Sequence, residues 1–256
     1  MSISKAKTAW ISSLQIKKFR QKYHKFTAEG DKIVQELLRD SNWVVRELYA
    51  LDTWLTAHAD LWKEKGMEVV VVSESELQRI SAHPSPNQVL AVADQRELGV
   101  DYAALQQSLT LFLDGVQDPG NLGAVLRIAD WFGIKQVLLG PGTVDMFNPK
   151  AIQASMGAFL RLHIAPCHLE ELEGRNLIVA GADLNGIDLF SFEPSGSGVV
   201  LILGNEGNGI SEQAKQHLDV ALTIPAAPDS GTESLNVSVA AGIMCAVLSR
   251  KMATGA

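Results

Sequence analysis

Val199-Val200-Leu201-Ile202-Leu203-Gly204-Asn205-Glu206-Gly207-Asn208-Gly209-Ile210-Ser211 is the stretch from which the fold is read. Five consecutive apolar residues without polar alternation mark a strand covered on both faces, as parallel sheets require. At Gly204 the character changes. Gly204, Gly207 and Gly209 permit tight turns and leave backbone N–H and C=O groups free for a ligand. Glu206 among them repels an anion, so a nucleoside diphosphate is a poorer guest than a neutral or cationic ligand. A glycine-rich surface turn is the alternative reading of this loop alone.

Working outward, short apolar runs recur at Leu109–Leu113, Gln136–Leu139, Leu162–Ala165, Leu177–Ala182 and Val220–Ile224. They alternate with helical patterns at Leu122–Phe132 (closed by Gly133), Pro149–Phe159, a short helix capped by Ser211 and running to His217, and Leu235–Met252. Strands alternating with helices predict an α/β domain with a mainly parallel sheet. Ligands of such sheets bind beyond the carboxyl ends of the strands.

Residues 1–95 predict a smaller α/β unit. A helix or helix-turn covers Ile11–Lys25 and is broken by Gly30; a second helix covers Lys32–Arg39. Trp43–Tyr49 reads as strand or helix, and Leu51–Lys65 as loop or helix. Met67–Val72 and Val89–Ala93 read as strands, with Ser73 capping a helix to Ile80. Polar residues 96–108 are the expected linker, and 109–256 the second domain.

The chain has 256 residues, 46% of them hydrophobic and 20% charged, enough for a core without disulfides or a structural metal. Its two cysteines, Cys167 and Cys245, suit a reducing compartment. No apolar run reaches the length of a membrane span, so a cytoplasmic protein is expected. The net charge of −7 argues against a nucleic-acid partner until its distribution is considered. Residues 1–26 hold Lys5, Lys7, Lys17, Lys18, Arg20, Lys22 and Lys25 and no acidic residue, whereas residues 99–256 hold 8 basic and 16 acidic residues. A basic contact surface on an acidic body, or a solvated helix face, accounts for this. His163, Cys167 and His168 lack the usual zinc spacing, so no metal is expected.

Two further loops stand out. Asp114 to Gly123 leads into a helix whose N-terminus attracts phosphate, with Arg127 about one and a half turns further in. Ile224 to Asn236 is a long loop that enters a helix of small residues, Val239-Ala240-Ala241-Gly242, with Ser234 or Asn236 as its cap. Residues 204–209, Gly-Asn-Glu-Gly-Asn-Gly, are out of register with a dinucleotide-binding Gly-x-Gly-x-x-Gly.

Together and in this order, the three loops resemble the SpoU family of SPOUT RNA methyltransferases. Asn121, Gly123 and Arg127 resemble its first motif. Leu203 to Gly207, with Gly209-Ile210-Ser211, resembles its second. Ile224-Pro225 with Ser234-Leu235-Asn236-Val237-Ser238 resembles its third, although the loop 226–233 is longer than usual. The resemblance covers residues 109–256. The basic entry, Ile16 through Asp31, resembles more loosely the L30e-like domain that precedes the catalytic domain in many members and helps grip structured RNA.

The resemblance implies a trefoil-knot domain, S-adenosylmethionine as cofactor and a homodimer. It implies cofactor binding by Leu203, Gly204, Asn205, Gly209, Ile224 and Leu235, and catalysis by Arg127, Asn121, Glu206, Ser234 and Asn236. Glu206 is expected to pair with Arg127. RNA binding falls to Lys17, Lys18, Arg20, Lys22 and Lys25. The implied reaction is methylation of a ribose 2′-hydroxyl, in 23S ribosomal RNA before tRNA. The rival is a non-catalytic RNA-binding protein that keeps the fold.

Overall fold

The computed structural model describes residues 3–63, 65–85, 87–106, 108–194 and 198–254. They form two compact units, Met1–Arg96 with Asp145–Leu160, and Glu97–Val144 with Arg161–Ala256.

The first unit begins with α1 (Lys5–Ser13), α2 (Lys17–Tyr23), β1 (Lys25–Glu29), α3 (Asp31–Arg39), β2 (Val45–Ala50), α4 (Asp52–Ala57), α5 (Ala59–Trp62), β3 (Glu68–Val71), α6 (Glu74–Ile80) and β4 (Val89–Asp94). Its sheet runs β1-β4-β2-β3, with β2 and β3 parallel and the other pairs antiparallel. The helix expected through Lys25 stops at His24, which takes a left-handed conformation (φ 50°) and turns the chain into β1. Phe26, Thr27 and Ala28 are all buried, so no polar alternation betrays this strand in the sequence. Ser73 does cap α6, in a reciprocal box with Glu76.

The second unit opens with α7 (Tyr102–Leu105), β5 (Leu109–Leu113), α8 (Pro119–Trp131) and β6 (Gln136–Leu139). Within the expected linker 96–108, of which Gln107 lies outside the described residues, α7 buries Leu105 against Phe112 and Val200. α8 starts three residues before the expected Leu122. Pro119 is pre-set for the first helical position, and the Asp118 carboxylate caps the Asn121 amide at 2.8 Å.

The chain then returns to the first unit with α9 (Pro149–Ser155) and most of α10 (Ala158–Arg161). The expected single helix over 149–159 is split because Met156 (φ 50°) and Gly157 (φ 87°) are left-handed. Phe147 and Phe159 pack with Phe26 and Trp43, ring centroids 4.8–6.3 Å apart, completing an aromatic core in that unit.

The second unit closes with β7 (His163–Pro166), a 3-10 turn (Leu169–Leu172), β8 (Leu177–Asp188), β9 (Gly198–Leu203), α11 (Glu212–Lys215), β10 (Val220–Thr223) and α12 (Val237–Thr254). The sheet order is β10-β8-β9-β5-β6-β7, and every pair is parallel. From β5 the chain steps outward to β6 and β7, then crosses to the other side of β5 for β8 and β9. The boundary between β5 and β9 is therefore a topological switch point, where loops diverge and leave a crevice. α12 packs on α8, with Gly242 beside Ile128.

Candidate active site

Two loops leave the switch point side by side. After β5, Gly115 takes φ +70°. The Thr143 hydroxyl donates to the Leu113 carbonyl at 2.7 Å and accepts from the Gly115 amide at 3.2 Å, which pins the turn. After β9, the chain doubles back so tightly that a Cβ on Gly204 would lie 2.2 Å from the Gly209 carbonyl carbon. Only glycine fits there. Asn205 and Gly209 exchange backbone hydrogen bonds of 2.9 Å in both directions. The Asn205 side chain accepts from the amides of Gly207 and Asn208 and donates across the crevice to the Gly115 carbonyl at 2.8 Å. Asn205 is thus the tie between the two loops.

This geometry carries Glu206 to the start of α8. Its carboxylate accepts from the Asn121 side chain at 3.0 Å and from the amides of Asp118 and Gln117 at 3.3 and 3.4 Å. Burial pushes the Glu206 carboxyl up. Hydrogen bonds from Asn121 and from the amides of Glu206, Gln117 and Asp118 outweigh that and hold it below the ordinary value. Asn121 in turn accepts from the Asn236 side chain at 3.1 Å. Asn236 caps α12, its oxygen accepting from the Ser238 amide at 2.9 Å and hydroxyl at 2.6 Å. A continuous chain, Ser238–Asn236–Asn121–Glu206, links all three loops.

Two SpoU and substrate-domain signatures match the chain: the SpoU rRNA Methylase family over residues 108–246 and the MRM3-like substrate binding domain over residues 7–91. A curated relative, the 23S rRNA (guanosine(2553)-2′-O)-methyltransferase RlmP of Bacillus subtilis (strain 168), is 33% identical over 235 residues, covering 90% of this chain and 91% of its own. The chain belongs to the SpoU rRNA methylase family. Among solved structures, a TrmH-family protein from Porphyromonas gingivalis is 37% identical, with a TM-score of 0.87 over 98% of this chain and 100% of its own. An S-adenosylmethionine-bound rRNA methyltransferase from Sinorhizobium meliloti is 28% identical, with a TM-score of 0.88 over 98% of this chain and 96% of its own.

In this SpoU methylase the remaining expected residues fall into three groups. Arg127 is exposed on α8 and makes no pair with Glu206, whose oxygens face the asparagine side chain and the loop amides instead. Ser234 and Leu235 stand exposed in the loop before Asn236, where the hydrogen bonds are local ones around Ser230. Ile224 is half-buried at the end of β10, and Leu203 is fully buried at the end of β9.

The five basic residues expected to bind RNA do not all face solvent. Arg20 is 1% exposed: its Nε and Nη2 both donate to Asp145 Oδ2 (2.9 and 2.8 Å), and its Nη1 donates to the Leu14 carbonyl at 2.9 Å. A guanidinium so enclosed is a structural cation, and burial keeps its remaining N–H groups from a phosphate. Lys25 is half-buried and paired with Asp94 at 2.6 Å. Lys17, Lys18 and Lys22 are exposed.

Sequence reasoning overlooked Asp118, Asn205 as a cross-loop tie, and Ser238. The Asp118-Pro119 pair did carry a signal, a cap residue before a first-turn proline. The other two roles involve partners that are distant in sequence or hidden inside a motif. Among the described residues no group of histidine, cysteine and carboxylate side chains could hold a metal. Burial pushes the Cys167 thiol up to about 12, so it is no thiolate.

Proposed function

We propose that this chain methylates a ribose 2′-hydroxyl of 23S ribosomal RNA with S-adenosylmethionine as the methyl donor. The observation that carries the reading is the hydrogen-bonded chain Ser238–Asn236–Asn121–Glu206, which gathers three sequence-distant loops at the switch point. Ribosomal RNA rather than tRNA is supported by the description of the family and of the Bacillus subtilis relative.

The residues fit the cofactor. The side-chain-free bend at Gly204 and the irregular loop from Ile224 to Leu235, exposed from residue 225 onward, present backbone groups of the kind that hold an adenosine. Leu203, Gly204, Ile224 and Leu235 would hold it. Asn205 and Gly209 spend their amides on each other and act by shaping the bend. When bound, S-adenosylmethionine supplies an electrophilic methyl group on a cationic sulfonium. A nearby ionised carboxylate, Glu206, is compatible with that charge.

Arg127 is the residue free to engage RNA. Its guanidinium stays protonated and cannot serve as a base. Its role is to orient a phosphate and stabilise charge that develops on the 2′-oxygen. Asn121 and Asn236 position the start of α8, and hence Arg127; Ser234 shapes the loop entering α12. Lys17, Lys18 and Lys22 grip structured RNA from an L30e-like unit.

The reading includes a homodimer. On α8, Trp131 is 84% exposed one turn beyond Arg127, and on the adjoining α12 Val239 is 49% exposed. A second copy covering this apolar face would enclose Arg127. It also includes a trefoil knot through the segments that carry Gly204, Ile224 and Leu235, and residence in the cytoplasm with the ribosome. Methyl transfer from labelled S-adenosylmethionine to unmodified 23S rRNA and tRNA, followed by nuclease digestion, tests the activity. An alkali-resistant 2′-O-methylated dinucleotide from the rRNA is expected. Label on a base, or on tRNA alone, overturns the assignment.

A further inference from the structure

A cavity of about 210 Å³ lies at the carboxyl ends of β5, β6 and β7, and none of its lining residues belongs to the sets assigned above. Phe112, Pro141 and Leu169 give it apolar surface, and Asp114, His168, Glu170 and Gln213 are among its polar groups. Asp114 is 9% exposed. Its Oδ2 accepts from the Ser211 amide at 2.7 Å, while Oδ1 receives no hydrogen bond from the described residues. Oδ1 is thus an acceptor open to whatever enters the cavity. Glu170 accepts from Gln213 Nε2 at 2.8 Å. Hydrogen bonds from its own backbone amide and from Gln213 hold its carboxyl below the ordinary range, so it too is an acceptor at neutral pH.

Two acceptor carboxylates, Asp114 inside the cavity and Glu170 at its exposed rim, disfavour a phosphate and, with the aromatic and aliphatic lining, suit a flat ring that presents N–H donors. Guanine offers two adjacent donors, N1–H and N2–H, on its Watson–Crick edge, the bidentate match of a carboxylate. Enzymes that act on single nucleotides read an extruded base through that edge and by apolar stacking. The cavity is next to the chemistry: Asp114 directly precedes Gly115, whose carbonyl holds the Asn205 tie.

We propose that this cavity reads an unpaired guanine at or beside the methylated ribose, with Asp114 and Glu170 as the acceptors and Gln213 orienting Glu170. The inference rests on the RNA-methylating reading above, and binding separates the two. The probe is a 23S rRNA hairpin transcript spanning the position equivalent to guanosine 2553, made with guanosine or with inosine, which lacks the N2 donors. Fluorescence anisotropy on the full-length protein is expected to show about tenfold weaker binding of the inosine RNA, as for the loss of one good base contact. Asp114→Asn, which keeps an acceptor for the Ser211 amide, should abolish the difference. Glu170→Gln and Gln213→Ala, at exposed positions, should narrow it and carry the test if the Asp114 variant fails to fold. Affinity for S-adenosylmethionine, by calorimetry, should stay unchanged in all three. Equal binding of the two RNAs by the unsubstituted protein, or a full difference persisting in both Glu170→Gln and Gln213→Ala, overturns the proposal. Methyl transfer on the same RNAs is scored separately, and its absence counts against the catalytic reading alone.

Discussion

The basic helix α2 of the first unit and the three-loop network of the second were both legible as sequence features, yet they met the structure differently. The network residues Glu206 and Asn236 both meet Asn121, through hydrogen bonds of 3.0 and 3.1 Å, although they lie 85 and 115 positions from it. The basic run divides. Lys17, Lys18 and Lys22 face solvent, whereas Arg20 is sealed against Asp145 and Lys25 against Asp94. A motif specifies residue types at spacings that only one backbone geometry satisfies. A charge count says nothing of which side of a helix points outward, so a buried cation is counted with the exposed ones.

The comparison breaks most visibly if the first unit is cut where the sequence suggests. A fragment of residues 1–95 lacks Phe147, Phe159 and Asp145, which leaves Phe26, Trp43 and the buried Arg20 without their partners. It is expected to show no cooperative thermal transition by circular dichroism, while the full chain melts cooperatively. A well-folded fragment would show that the segment 145–160 is dispensable to that unit.

Next in size is Arg127→Ala, for which methyl transfer should fall about 10²–10³-fold, the usual effect of removing one charge-stabilising donor. Calorimetric affinity for S-adenosylmethionine should hold. A drop in cofactor affinity with normal turnover would move Arg127 out of the RNA-facing role.

Within helix α2, two kinds of lesion should separate. Arg20→Met removes the buried partner of the partly buried Asp145 carboxylate and is expected to destabilise by roughly 3 kcal/mol in denaturant melts. Lys17→Ala, Lys18→Ala and Lys22→Ala should leave stability unchanged. Each should instead weaken RNA binding and reduce the slope of log affinity against log salt by roughly 0.7–0.9. If Arg20→Met altered only the salt slope, its burial would be refuted.

The smallest expected effect sharpens the network side. Because Glu206 has a depressed pKa in the folded protein, it stabilises the fold fully above its unfolded value, near 4.5, and loses that contribution as pH falls through the lower folded value. Glu206→Gln should therefore melt below the unsubstituted protein at pH 7, and the gap should close in acid. A gap that stays constant from pH 7 to pH 3 would show that ionised Glu206 contributes nothing to holding the loops.

Much of the second unit follows from local chemistry written in the chain. Uniformly apolar runs such as Val199–Leu203 have to be covered on both faces, which selects parallel strands. Ser73, Ser211 and Asn236 cap helices because their side chains meet free amides two or three residues on. The three motifs mark the loops at the strand ends. Other features depended on partners far along the chain. β1 was hidden because its residues are buried on both faces and carry no period. Residues 145–160 join the first unit through Phe147, Phe159 and Asp145, whose partners Phe26, Trp43 and Arg20 lie more than a hundred positions away. Glu206 chose Asn121 and the loop amides over Arg127 because the bend at Gly204 aims it at the start of α8. Local periodicity and capping act over a few residues and are written in the sequence; strand order, cross-loop hydrogen bonds and the burial of a charge are settled only when distant segments are packed together.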